Sequence, residues 1–246
     1  MIETIKWDSK FFGKKIGRLT RVPAESVLRK YIRKAHENGY EYLTCRLVLE
    51  KISEVQRLEN SGFYIADIGV VWERKTDGIP EEAFAATQAT LDDSPMIEGM
   101  SAGLFRDSRF YNDPFFTYAE AENLYRQWIR NSLHDRASRT FFIESCGFII
   151  VKKQKNRGEI VLIGVVPEKQ RKGAGRRLVY HALAWLKRKR VDTVTVRTQA
   201  NNMRAMNFYA GLGFRMEHMD MTMGLVLSPV RSVKAVVVGK KGPHGR

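Results

Sequence analysis

Apolar positions recur along the chain at two spacings. Between Glu25 and Asn38, the residues Val27, Leu28, Tyr31, Ile32 and Ala35 share one face of a helical repeat, which predicts a helix stopped at Asn38-Gly39. The same pattern predicts a helix over Glu54 to Asn60, ended by Ser61-Gly62, and one over Tyr118 to Leu133 with Leu124, Trp128 and Ile129 as its stripe. Alternating or β-branched runs predict strands at Ile5-Lys6-Trp7, Ile16 to Val22, Tyr40 to Leu49 and Ile65 to Trp72. Past Thr140 the pattern reads strand (Thr140 to Val151), turn (Lys155 to Gly158), strand (Glu159 to Val166) and helix (Gly175 to Arg190). It continues as strand (Thr193 to Thr198), helix (Met203 to Gly211) and strand (Phe214 to Leu227).

One internal echo stands out. Leu58-Glu59-Asn60-Ser61-Gly62-Phe63 and Tyr209-Ala210-Gly211-Leu212-Gly213-Phe214 both precede a strand, with glycine and phenylalanine at the same spacing. A common helix-to-strand turn explains this, as does a truncated duplicate of the C-terminal unit. Thr76 to Met100, with Gly78, Pro80, Asp92-Asp93-Ser94-Pro95 and Gly99, reads as a linker. The expected organisation is an N-terminal α/β half over 1–76, a linker over 77–100, a second domain over 101–228 and a basic, disordered tail over 229–246.

Composition narrows the class. The 246 residues are 43% hydrophobic and 28% charged, with a mean hydropathy of -0.35. No window approaches the roughly 20 apolar residues of a membrane span. The N-terminal MIETIKWDSKFFGKK lacks the apolar run of a signal peptide, so a cytoplasmic protein is expected. Cys45 and Cys146 form no CxxC and read as buried free thiols of a reducing compartment. The 42 Lys and Arg against 27 Asp and Glu give a net charge of +15, which attracts polyanions. A nucleic-acid-binding module is one reading of that charge, but no helix-turn-helix, finger or RNP signature accompanies it.

The chemistry concentrates in Glu159 to Gly175. An apolar strand runs to Val166, and Pro167 ends it for want of an N–H. Gln170-Arg171-Lys172-Gly173-Ala174-Gly175 then leads directly into a basic helix that starts with Arg176 and Arg177. Bare backbone amides at such a turn, with the positive end of the helix dipole, form an anion cradle suited to a pyrophosphate. There is no G-x-x-x-x-G-K-[ST], and no G-x-G-x-x-G with a later acidic residue, so neither a P-loop nor a dinucleotide fold is indicated. Downstream, Asn202, Ala205 and Tyr209 share a helix face. A phenol, with a pKa of about 10, can protonate a departing thiolate. No metal-ligand cluster is present, and Glu144, Glu159 and His181 are general-base candidates without a distinguishing spacing.

Together Val166-Pro167-x-x-Gln170-x-x-Gly173-x-Gly175 and Asn202-x-x-Ala205-x-x-x-Tyr209-x-x-x-Gly213-Phe214 resemble the GNAT superfamily of acyl-CoA N-acyltransferases, over roughly Thr140 to Leu227. The resemblance implies an α/β (α+β) GNAT fold, with a central mixed twisted sheet flanked by helices and a smaller GNAT-like N-terminal half. It implies acetyl-CoA as co-substrate and no metal. The cradle of Gln170, Arg171, Lys172, Gly173, Ala174, Gly175 and Arg176 would hold its pyrophosphate, and Val165 and Val166 would pair with the pantetheine arm. Asn202 would contact that arm, and Tyr209 would protonate the thiolate. Trp7-Asp8-Ser9-x-Phe11-Phe12-Gly13, Ser108-Arg109-Phe110-x-x-Asp113 and Leu124-Tyr125-x-x-Trp128-Ile129-x-Asn131-Ser132 further look like the TDP-fucosamine acetyltransferase group. That likeness implies a nucleotide-linked amino-deoxy sugar as acceptor. Hydropathy and the missing signatures add the expectation of no membrane span and no specific nucleic acid, and a homodimer is allowed for. A protein N-terminus or a small amine is the alternative acceptor.

Overall fold

The computed structural model describes residues 1–79 and 85–227, and these build one ten-stranded sheet flanked by helices. The first part of the chain runs β1 (Ile2–Thr4), α1 (Lys6–Phe12), β2 (Ile16–Leu19), α2 (Glu25–Glu37), β3 (Tyr42–Val48), α3 (Ile52–Glu59) and β4 (Tyr64–Lys75). Next come β5 (Thr87–Gln88), α4 (Ser94–Ser101), α5 (Arg109–Asn112), α6 (Tyr118–His134), β6 (Ser138–Ile143), β7 (Gly147–Gln154) and β8 (Arg157–Val165). The last elements are α7 (Ala174–Arg188), β9 (Thr193–Gln199), α8 (Met203–Gly211) and β10 (Arg215–Val226). The tail expected over 229–246 lies outside the described residues.

The strand order is β1-β2-β3-β10-β4-β9-β8-β7-β6-β5. Two strands cross over: β10 pairs between β3 and β4, and β4 pairs between β10 and β9, all antiparallel. Outward from the β4–β10 pair the two directions repeat. On one side β3 pairs in parallel with β2, and β2 antiparallel with β1. On the other β9 pairs in parallel with β8, and β8 antiparallel with β7. Helix α2 joins one parallel pair and α7 the other, while α3 and α8 lead into the crossed strands. The echoed hexapeptides occupy equivalent places. The Phe63 amide donates to Leu58 and Gly62 to Glu59, and the Phe214 amide donates to Tyr209 and Gly213 to Ala210. This is a Schellman turn with glycine left-handed in both, φ 89° and 77°. The matching order of strands and helices extends well beyond what a shared turn alone requires.

Several expectations need correction. Ile5-Lys6-Trp7 is not a strand. The segment enters α1, which the Ser9 hydroxyl closes onto Ile16 through a donated and an accepted hydrogen bond and which ends at left-handed Gly13. Thr140 to Val151 is a hairpin of two strands, because Glu144-Ser145-Cys146 turns the chain with Ser145 at φ 53°. The segment 77–100 is not a bare linker. It carries β5 and most of α4, where the buried Ile97 and Met100 pack with Ile129, Phe148 and Ile150. Strand β7 is apolar from Gly147 to Val151 because both its faces are covered there: Ile149 and Val151 join the α7 core, and Phe148 and Ile150 the α4–α6 core. Cys45 is buried and burial pushes its thiol up to about 11, whereas Cys146 is only partly buried.

The helical segment between β5 and β6 is tied to the N-terminal half by polar contacts. Buried Asp113 accepts hydrogen bonds from Tyr42 of β3 at 2.5 Å, Tyr64 of β4 at 2.7 Å and the Phe115 amide at 3.0 Å. Lys14 pairs at 2.7 Å with Glu120, which also completes the capping box of α6 with Thr117.

Candidate active site

Strands β8 and β9 part company midway. Their parallel pairing covers Arg157–Thr193 to Ile160–Val196 and stops there, while β8 continues to Val165 against β7 and β9 to Gln199 against β4. Each strand is held from outside, so the two splay and leave a gap in the sheet. A cavity of about 660 Å³ occupies it, lined by Val161, Leu162 and Ile163 on one side and Arg197, Thr198 and Gln199 on the other.

The turn expected to form the anion cradle lies at the end of β8. Pro167–Lys169 make one 3₁₀ turn, and then Arg171 at φ 60° and Gly173 at φ 83° are both left-handed. Among the described residues the amides of 171–176 have no backbone acceptor, and the first helical bond runs from Arg177 to Gly173. The surroundings of Gly173 are open, with nothing within 4 Å of where a Cβ would stand. The turn therefore presents its amides and the start of a 15-residue helix to solvent, which fits a pyrophosphate. Arg176 stacks over Tyr180 at 5.3 Å, and the Lys172 ammonium donates to the Glu168 carbonyl. Ala174 is buried, and Gly175 lies so near Phe208 that a Cβ would come to 3.2 Å of its ring. The start of α7 is thus packed on α8, which carries the phenol.

Two expected donor contacts are altered. The Val166 amide already donates to Cys146 and its carbonyl accepts from Lys169, so Val166 has no free N–H for a pantetheine amide. The Val165 carbonyl accepts from the Gln170 side chain at 2.9 Å. The unpaired edge that faces the gap lies further back, over Val161 to Gly164. Asn202 is the N-cap of α8, its side-chain oxygen accepting from the Ala205 amide at 2.9 Å, and it also lines the cavity.

Tyr209 lines the same cavity and is 3% exposed. Its ring lies between Phe208 at 5.3 Å and Phe214 at 5.5 Å, and its hydroxyl has no hydrogen-bond partner among the described residues. Burial raises its pKa above the ordinary phenol value, so it stays protonated at neutral pH. Of the three general-base candidates only Glu159 lines the cavity, at the point where the strands begin to part. Desolvation by the surrounding walls raises its carboxyl pKa, with Lys152 opposing. Glu144 sits in the exposed β6–β7 turn, and His181 packs against Phe141 at 4.7 Å in the α7 core. Among the described residues no three His, Cys, Asp or Glu side chains cluster as a metal site.

Sequence reasoning missed the charged floor of the site. Arg197 on β9 donates to Asp67 at 2.9 Å and Asp220 at 2.6 Å, and Arg46 approaches Asp220 at 3.8 Å. The guanidinium of Arg197 lies where a Cβ of Gly69 would be, so a larger residue there would push Arg197 from its place beside Asp67 and Asp220. The available signal was a lone arginine in the β-branched run Thr193 to Gln199.

A splayed parallel pair and a buried phenol thus meet at one cavity, with an open amide turn at the end of the splayed strand. Residues 105–214 match the acetyltransferase (GNAT) family, and the chain carries an acetyltransferase domain of that family. It is 24% identical over 225 residues to a dTDP-fucosamine acetyltransferase of Escherichia coli, covering 88% of this chain and 94% of that one. It is 28% identical over 130 residues to the spore coat polysaccharide biosynthesis protein SpsD of Bacillus subtilis, covering 51% of this chain and spanning 45% of that relative. Among solved structures, a GCN5-related N-acetyltransferase from Sphaerobacter thermophilus superposes with a TM-score of 0.64 at 14% identity, over 93% of this chain and 76% of that one. A tandem GNAT protein from the clavulanic acid biosynthesis pathway gives 0.59 at 14% identity, over 88% and 77%. No helix among the described residues is long and apolar enough to cross a membrane.

Proposed function

We propose that this chain moves acetyl from acetyl-CoA to the amino group of a nucleotide-linked amino-deoxy sugar. Acetyl-CoA supplies an activated thioester. The amides around Gly173 hold its pyrophosphate, and the edge of Val161 to Gly164 aligns the thioester in the gap. Tyr209 donates its proton to the departing sulfur. The burial that raises the phenol would raise a thiolate beside it in the same direction, which keeps proton transfer between them feasible. Glu159 receives the proton that the amine gives up.

The observation that carries this reading is the single cavity joining the splayed strands, Tyr209 and the wall built by the three shorter motifs. What supports the acceptor class is the 24% identity, over 88% of this chain, to a dTDP-fucosamine acetyltransferase. A cytoplasmic setting suits the free thiols. The test is thiol release from acetyl-CoA with a panel of nucleotide-linked amino sugars, N-terminal peptides and polyamines. The sugars should give the highest kcat/KM. Faster turnover of peptides or polyamines would replace the acceptor and keep the donor chemistry.

A further inference from the structure

The cavity wall opposite the donor strands brings together three distant segments, through Asp8 of α1, Arg109 at the start of α5 and Asn131 of α6. Most of the cavity's basic groups are already engaged. Arg197 is held by Asp67 and Asp220, and Lys152 by Asp135 at 2.8 Å. Two are not. Among the described residues neither Arg109 nor Arg18, on the adjoining β2, has a hydrogen-bond or ion-pair partner for its guanidinium, though both line the cavity. Arg109 is fixed by stacking on Phe110 at 4.4 Å, and its Nη1 is buried without an acceptor. Asp8 stands within electrostatic reach of both, its charge opposed by burial and favoured by the two arginines.

A part-buried guanidinium without an acceptor is costly in a folded protein, and its planar fork matches phosphate oxygens. Arg109 is such a group, and Arg18 stands exposed on the same wall; Asp8 and Asp107 also line it, so what favours an anion there is the two unengaged forks rather than a net charge. We infer that Arg18 and Arg109 form a clamp for the phosphates of the acceptor, and so select a nucleoside-diphosphate-linked amine over a neutral one. This rests on the acetyl-transfer reading of the cavity. It adds that the N-terminal half, which has no donor turn of its own, supplies acceptor recognition through β2 and α1. The acceptor then spans the cavity, phosphates at the arginines and amine toward Tyr209.

The test uses the full chain saturated with CoA, so that the donor turn is filled, and titrates thymidine diphosphate by calorimetry. One equivalent should bind without displacing CoA. Arg109→Gln and Arg18→Gln should each weaken it by about tenfold or more, with CoA affinity unchanged, and Arg109→Lys should recover part of the loss. In turnover, Arg109→Gln should raise KM for the phosphorylated amino sugar by a similar factor, leave kcat within about twofold, and spare the neutral methyl glycoside of the same sugar. Binding of thymidine diphosphate only in competition with CoA, or undiminished binding in both variants, overturns the clamp. An equal loss on the charged and neutral acceptors also overturns it. If no amine is acetylated while arginine-dependent binding persists, the acetyl-transfer reading fails and the clamp stands.

Discussion

The two halves of the sheet share a plan and differ in chemistry. Helix α8 places Tyr209 five residues before Phe214, and α3 places Leu58 five residues before Phe63, through the same Schellman turn. Seven residues earlier, Asn202 caps α8 with its side chain, whereas Lys51 at the start of α3 makes no side-chain cap. At the start of α7 the chain has Gly173 as N-cap and Gly175 in the first turn, both with open amides; ahead of α2 it has Val22-Pro23-Ala24 and no glycine. Equivalent scaffolding therefore surrounds an open turn and a cavity-lining phenol in one half and a packed core in the other. The scaffold is set by turns and buried faces, the chemistry by a handful of side chains placed on it.

The largest expected contrast lies at the paired positions. Tyr209→Phe should lower kcat by about 100-fold or more and leave CoA affinity unchanged, because only the proton donor is lost. Leu58→Ala, at the equivalent place and fully buried, should cost about 2–5 kcal/mol of stability and leave kcat per folded molecule intact. Denaturant unfolding beside steady-state rates separates the two. Since burial raises the Tyr209 pKa, the wild-type rate should show no descending limb from this phenol below about pH 10. Unaltered turnover in Tyr209→Phe would remove the phenol from the mechanism.

The next contrast concerns how the halves are joined. Asp113 holds Tyr42 and Tyr64, on two strands of the N-terminal half, from a loop of the C-terminal half. Asp113→Ala leaves two phenols without their acceptor and should destabilise the protein by about 3 kcal/mol. A shift in the denaturation midpoint of the whole chain, seen alike by probes in both halves, would mark them as one cooperative unit. Separate transitions would split it.

A smaller effect belongs to the donor turn alone. Gly173→Ala meets no steric obstacle but must hold φ 83°, which costs about 1–2 kcal/mol. The turn should relax and raise KM for acetyl-CoA by about tenfold, with kcat little changed. An unchanged KM would show that the amides of this turn do not bind the donor.

How much of this was legible in the sequence depended on range. Helices α2 and α6 have long apolar stripes, α2 and α8 end at glycine turns, and the limits of all three lie within a residue or two of those expected. Helix α1 is seven residues long, too short for a period to show, and its aromatic residues mimic a strand. Helix α4 was hidden by Asp92-Asp93-Ser94-Pro95, which reads as a break; yet proline in a first turn and Asp93 bonded back to Thr90 are also helix-start chemistry. The open turn around Gly173 and the cavity-lining Tyr209 were legible because each belongs to a local motif. The Arg18–Arg109 wall, the floor of Arg197 with Asp67 and Asp220, and the crossing of β4 with β10 are contacts between residues tens to well over a hundred positions apart, and no local spacing encodes them.

The finest comparison lies at the ends of α2 and α7, which occupy equivalent places. Both close as Schellman turns: the Tyr40 amide donates to Ala35 and Gly39 to His36, while the Val191 amide donates to Leu186 and Arg190 to Lys187. The left-handed residue is Gly39 at φ 73° in one and Arg190 at φ 59° in the other. An arginine there carries a steric cost of about 1 kcal/mol that glycine avoids. Arg190→Gly should therefore raise stability by up to about 1 kcal/mol, less the greater freedom glycine has in the unfolded chain. Gly39→Ala should lower stability by about 1 kcal/mol. Neither should change kcat/KM, since both turns lie outside the residues that line the cavity. Opposite shifts in the unfolding midpoint would establish that the two helix ends obey one backbone rule, and shifts of the same sign would mean that the Arg190 side chain makes a compensating contact of its own.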